Sequence, residues 1–186
     1  EAQAQARIDH EYICKVYEVG EAAGQPYIAM QYIEGQSLKA MKPVLGFEEK
    51  VEVMRKVAEG LHAAHRRGLV HRDVKPANIM LERREDGEIH PYVMDFGLAR
   101  EIEGEGQTQT GAIEGTPAYM APEQLRGEMQ KLDRRTDVYA LGATLYELLS
   151  GKPPFTGQNS LELMLEALHE EPQPLRALEP SVPRDV

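Results

Sequence analysis

Three short runs in this sequence hold the side chains best suited to chemistry. The first is His71-Arg72-Asp73-Val74-Lys75-Pro76-Ala77-Asn78, the second Asp95-Phe96-Gly97 and the third Ala121-Pro122-Glu123. Asp73 brings a carboxylate able to take a proton, and Lys75 brings a positive charge two residues on. Asn78 adds a neutral oxygen and Asp95 an anionic one, hard ligands suited to Mg²⁺. Taken singly, each has a plainer explanation. An Asp or Lys in a loop is usually a solvated surface group, and Asn78 alone suits a turn. His62 and His65 lie three apart on a helix and could reach one metal ion, but no third ligand accompanies them, so they read as helix residues.

Composition narrows the partners. The chain has 186 residues, 41% of them apolar, which is enough for a sizeable core in one domain or a large piece of one. Its net charge of −10 argues against nucleic acid or an anionic membrane surface as the main partner. The single cysteine, Cys14, cannot form an internal disulfide and suits a reducing compartment. No apolar run approaches the ~20 residues that cross a bilayer, and the opening EAQAQARIDH does not read as a signal peptide. These features point to a soluble, acidic, cytoplasmic chain.

Several elements must position the chemical residues. Glu1–Ile8 reads as the end of a helix. Strands are expected over Tyr12–Val19 and Pro26–Ile33, joined by a turn at Gly24. Phe47, Val51, Met54, Ala58, Leu61 and His65 recur at helical spacing, and Gly68 closes that helix. Apolar runs at Asn78–Leu81 and Tyr92–Met94 flank Asp86-Gly87, a plausible hairpin. Glu101–Gly115, with four glycines and two threonines, reads as a mobile surface loop. Val138, Leu141, Leu145 and Leu148 mark an apolar helix ending at Gly151. Asn159 with Glu162 resembles a capping box for a further helix that stops before Pro172.

Taken together, HRDVKPANIML, MDFGLAR, GTPAYMAPEQ and TDVYALGATLYELLSGKPPF resemble the protein kinase superfamily. Within it they are most similar to the eukaryotic-like Ser/Thr kinases of bacteria. The resemblance implies an α+β, protein-kinase-like fold: a mainly helical C-lobe with a remnant N-lobe helix and strands. Residues 1–33 would be the N-lobe remnant and 34–186 the incomplete C-lobe. It implies a Ser/Thr protein kinase using ATP and Mg²⁺ on a protein substrate, with a possible dimer for trans-autophosphorylation. The parent could be membrane-anchored with this domain in the cytoplasm.

By the same resemblance, Asp73 would accept the substrate hydroxyl proton, Lys75 would neutralise charge at the γ-phosphate, and Asn78 and Asp95 would hold Mg²⁺. A lysine two residues after the aspartate favours Ser/Thr over Tyr specificity. Met30 matches the gatekeeper, Gln31-Tyr32-Ile33 the hinge that bonds adenine, and Leu38 and Met80 the residues covering its ring. His71 would pack beneath Phe96. Asp137 would steady the catalytic loop through backbone N–H groups, or else cap its helix.

Regulation is implied as well. Arg72 would pair with a phosphothreonine, for which Thr108 and Thr110 are the candidates, while Thr116 would bond Asp73 and Lys75. Glu1 matches the helix glutamate that pairs with a lysine on an earlier strand. Neither that strand nor a G-x-G-x-x-G lid occurs in the chain, and the arginine partner of Glu123 would lie past Val186. The expectation is an internal fragment, binding ATP weakly by itself, from an active parent. The competing expectation is a pseudokinase-like interaction module without catalysis.

Overall fold

The computed structural model describes residues 8–96 and 117–183. Glu1, Thr108, Thr110 and Thr116, together with the proposed mobile loop and opening helix segment, lie outside the described residues. Strand β1 (Val16–Ala22) pairs antiparallel with β2 (Gln25–Met30), and the turn uses positive φ at Ala23 and Gly24. The first strand starts later than its pattern suggested. His10 and Ile13 close a turn first, and Ile13 bridges in parallel to Val93.

A second sheet has the order β3 (Gln36–Ser37), β4 (Ile79–Arg83), β5 (Ile89–Val93), all antiparallel. The β4–β5 connection turns at Gly87, φ 87°, as the Asp86-Gly87 pair predicts. Gly35, just before β3, has no room for a side chain. A Cβ there would fall 2.1 Å from the Leu81 carbonyl oxygen. Helix α1 (Leu38–Met41) follows at once, capped by the Ser37 hydroxyl.

The body is helical: α2 (Phe47–His65), α3 (Pro122–Leu125), α4 (Arg134–Ser150), α5 (Ser160–His169) and α6 (Leu175–Leu178), with 3₁₀ turns at Pro76–Asn78, Pro117–Tyr119 and Met129–Lys131. Glu49 reaches back to the Gly46 N–H at 2.8 Å to start α2, Asn159 caps α5, and Gly151 ends α4 at φ 85°.

The faces of the two long helices differ from their apolar patterns. In α2 the buried stripe is Val53, Met54, Val57, Gly60, Leu61 and Ala64, whereas Phe47 and Val51 are exposed. In α4, Val138 is 61% exposed while Thr136, Asp137, Thr144 and Glu147 are buried. For Thr136, Asp137 and Glu147 the reason is polar pairing across the interior. Thr136 donates to Glu123 at 2.7 Å, and Glu147 accepts from Lys42 at 2.6 Å and from the Tyr119 hydroxyl. Once bonded, these groups cost little to bury, so α4 turns them inward. Lys56 is buried in the same manner, its ammonium held by Glu88 and the Ile89 carbonyl at the end of the β4–β5 hairpin.

The main core joins α2, β4, β5 and α4 through Val53, Val57, Leu61, Leu81, Val93 and Leu148. A smaller cluster gathers Cys14, Ile33 and Tyr92 with Met30, Met80 and Met94. Burial, and next the charge of Asp95, push the Cys14 thiol up to about 11. We therefore expect the folded protein to resist iodoacetamide at pH 8 and to label quickly once unfolded, since the thiolate is the nucleophile. Mass spectrometry showing rapid labelling of the native protein would contradict this burial. No helix among the described residues is long and apolar enough to cross a membrane.

Candidate active site

The geometry starts with strand register. Pairing of Ile79 with Val93 sets Asn78, just before β4, opposite Met94, just after β5, and the Met94 N–H donates to the Asn78 carbonyl at 2.9 Å. Asp95 is the next residue. One hairpin end thus carries both oxygen donors picked out from the sequence, Asn78 and Asp95.

Asp73 is brought to the same end by its loop. Its Oδ2 accepts from Lys75 Nζ at 2.7 Å and from Asn78 Nδ2 at 2.8 Å, and Asn78 Nδ2 also reaches the Asp73 carbonyl at 2.9 Å. Those two bonds fix the sense of the Asn78 amide, leaving Oδ1 as its electron-donating atom. Asp73 keeps 43% of its side chain exposed, so an incoming hydroxyl can reach it. Burial raises the Asp95 carboxyl pKa above its ordinary value. His71 offsets this in part, the Asp73 charge raises it further, and Lys75 lowers it. Asp95 nevertheless stays exposed to solvent within the fields of Asp73 and Lys75. A neutral amide oxygen beside a carboxylate short of positive charge is a donor set that fits a hard divalent cation.

The loop is held by side chains from distant elements. Asp137 accepts the His71 N–H on Oδ2 and the Arg72 N–H on Oδ1, each at 2.8 Å, and His65 Nε2 lies 2.6 Å from Oδ2. Asp133 caps α4, accepting from the Arg135 N–H at 2.8 Å. Of the two readings of Asp137, the loop anchor is therefore the one observed and the helix cap is not. His71 takes the Asp73 N–H on Nδ1 at 3.2 Å, which leaves Nε2–H to donate to the Met94 carbonyl at 2.8 Å. Its ring packs on Phe96 with centroids 4.6 Å apart. Arg72 and Asp95 both occupy positive φ, 67° and 56°, which non-glycine residues adopt only when their surroundings impose it.

Not every expected residue joins the site. Met30 and Met80 share the smaller cluster with Ile33, and the Tyr32 and Ile33 N–H groups have no backbone acceptor among the described residues. Gln31 is already engaged: its N–H donates to the Lys15 carbonyl at 2.8 Å, and its own carbonyl lies 3.6 Å from the Cys14 thiol. Leu38 is fully buried in the main core with Ile79 and Leu81, outside the Met30–Met80 cluster. Glu123 also finds a partner within the chain, in Thr136. His65 and Gln124 escaped the sequence reading as site residues. Gln124 directly follows Ala121-Pro122-Glu123, but nothing in the sequence shows that its amide reaches back 52 residues to Arg72.

Comparison with known proteins matches residues 1–184 to the protein kinase domain. The chain belongs to that family. It is 42% identical over 183 residues to the serine/threonine-protein kinase PknB of Mycobacterium tuberculosis, covering 94% of this chain and 28% of PknB. It is 42% identical over 171 residues to PknL of the same organism, covering 90% of this chain and 41% of PknL. The crystal structure of the M. tuberculosis PknI kinase domain superposes with a TM-score of 0.71 at 31% identity, covering 97% of this chain and 62% of that domain. The chain thus spans less than a third of the length of PknB, and its α+β fold is kinase-like, with partial N-lobe strands and a helical C-lobe.

Proposed function

We propose that the protein transfers the γ-phosphoryl group of ATP to serine and threonine hydroxyls of a protein substrate. The observation that carries this reading is the Asp73 carboxylate held by Lys75 and Asn78 at the hairpin end that also bears Asp95. Asp73 takes the proton of the attacking hydroxyl as its oxygen bonds phosphorus and the bond to the departing ADP oxygen breaks. Lys75 already neutralises Asp73 and stands ready to spread charge onto the transferred group. Asn78 Oδ1 and Asp95 would hold Mg²⁺, which when bound supplies charge neutralisation for the phosphates.

The Tyr32–Ile33 backbone would bond adenine, with Met30 and Met80 as the apolar wall. Under this reading residues 1–33 belong to the smaller lobe and residues 34–186 to the larger. A phosphorylated Thr108 or Thr110, made by a second copy, would pair with Arg72, and Thr116 would engage Asp73 and Lys75.

The test is incubation of the full-length protein with Mg²⁺, γ-labelled ATP and a casein-like substrate, followed by phosphoamino acid analysis. Phosphoserine and phosphothreonine are expected. Label passing only to an aminoglycoside or choline, or to no acceptor at all, would overturn the reading.

A further inference from the structure

The peptide unit joining Arg72 to Asp73 is pinned at both ends by side chains. Its N–H, from Asp73, donates to His71 Nδ1 at 3.2 Å, and its C=O, from Arg72, accepts from Gln124 Nε2 at 2.7 Å. Arg72 itself holds a left-handed φ of 67°. Gln124 is committed at both amide atoms, because its Oε1 accepts the Ala121 N–H at 3.0 Å. Both neighbours are backbone groups with fixed roles, so the amide has one allowed sense. The bond bridges 52 residues and ties the first turn of α3 to the backbone that carries Asp73.

We infer that Gln124 is a positioning residue, setting the Asp73 carboxylate by holding the Arg72 carbonyl. The inference rests on the proposed phosphotransfer. Two roles of the side chain can be separated by chemistry. Gln124→Glu keeps an acceptor for the Ala121 N–H but sets a carboxylate against the Arg72 carbonyl. Gln124→Lys keeps a donor for that carbonyl but loses the acceptor. Gln124→Met loses both.

In the full-length protein, Q124E and Q124M should each lower kcat about tenfold, less than the ~10²-fold that a 1 Å misplacement can cost. KM for ATP and for the protein substrate should stay within about twofold, and Q124K should recover to within about threefold of wild-type kcat. If wild type itself transfers no phosphate, the kinase reading fails and the inference falls with it. If wild type is active and Q124E matches it while Q124M does not, Gln124 merely closes the α3 turn and the positioning role is wrong. If Q124E loses nucleotide affinity along with kcat, Q124K decides. Its recovery supports the bond to Arg72, and its failure to recover refutes it.

Discussion

Asp73→Asn is expected to lower kcat by about 10³-fold, within the range that a lost general base accounts for, while ATP affinity changes by less than threefold. The geometry explains the split. Asp73 Oδ2 accepts from both Lys75 and Asn78, and an asparagine oxygen can still accept from these donors. The loop therefore keeps its shape, held in any case by Asp137 and His71. What disappears is the negative charge and the basicity, which count only once a hydroxyl is losing its proton. Single-turnover kinetics with labelled ATP, alongside nucleotide titration, check both halves. A variant retaining more than about a tenth of wild-type kcat would show that Asp73 is not the proton acceptor.

Asp73, Lys75, Asn78 and Asp95 were legible through the kinase motifs that HRDVKPANIML and MDFGLAR resemble. The first three stand within one loop, and the Asp86-Gly87 hairpin brings Asp95 to the same end. Helix α2 was visible in its period, yet its buried face was misread through Phe47 and Val51. Apolar side chains near a helix start lie on the stripe by count but stay in water when no element covers that end.

Helix α4 shows the reverse. Its interior face carries Thr136, Asp137 and Glu147, which look like surface residues until their partners Glu123, His71, Arg72, Lys42 and Tyr119 are known. Those partners lie 13 to 105 residues away in the chain, and no local pattern encodes them.

The second large effect concerns Asp137, and here stability and chemistry should fall together. Its side chain is fully buried and satisfies three donors: the His71 and Arg72 N–H groups and His65 Nε2. Asp137→Asn replaces one of the two oxygens by an NH₂ group, which then faces a backbone N–H. A buried donor is left unpaired and another is pressed against it, and breaking a buried charged network this way costs about 3–5 kcal/mol. For a chain of this size that corresponds to a fall in Tm on the order of 10 °C. The loop between His71 and Asp73 loses its anchor in the same step, so kcat should drop in whatever fraction stays folded. Asp133→Ala is the control, because Asp133 is the residue that caps α4. It removes that cap and leaves the loop anchored, so it should lower Tm less and spare kcat. Thermal unfolding and kinetics of both variants in the full-length protein distinguish the cases. Should Asp137→Asn melt within about 2 °C of wild type with unchanged kcat, the buried carboxylate would not be what organises the catalytic loop.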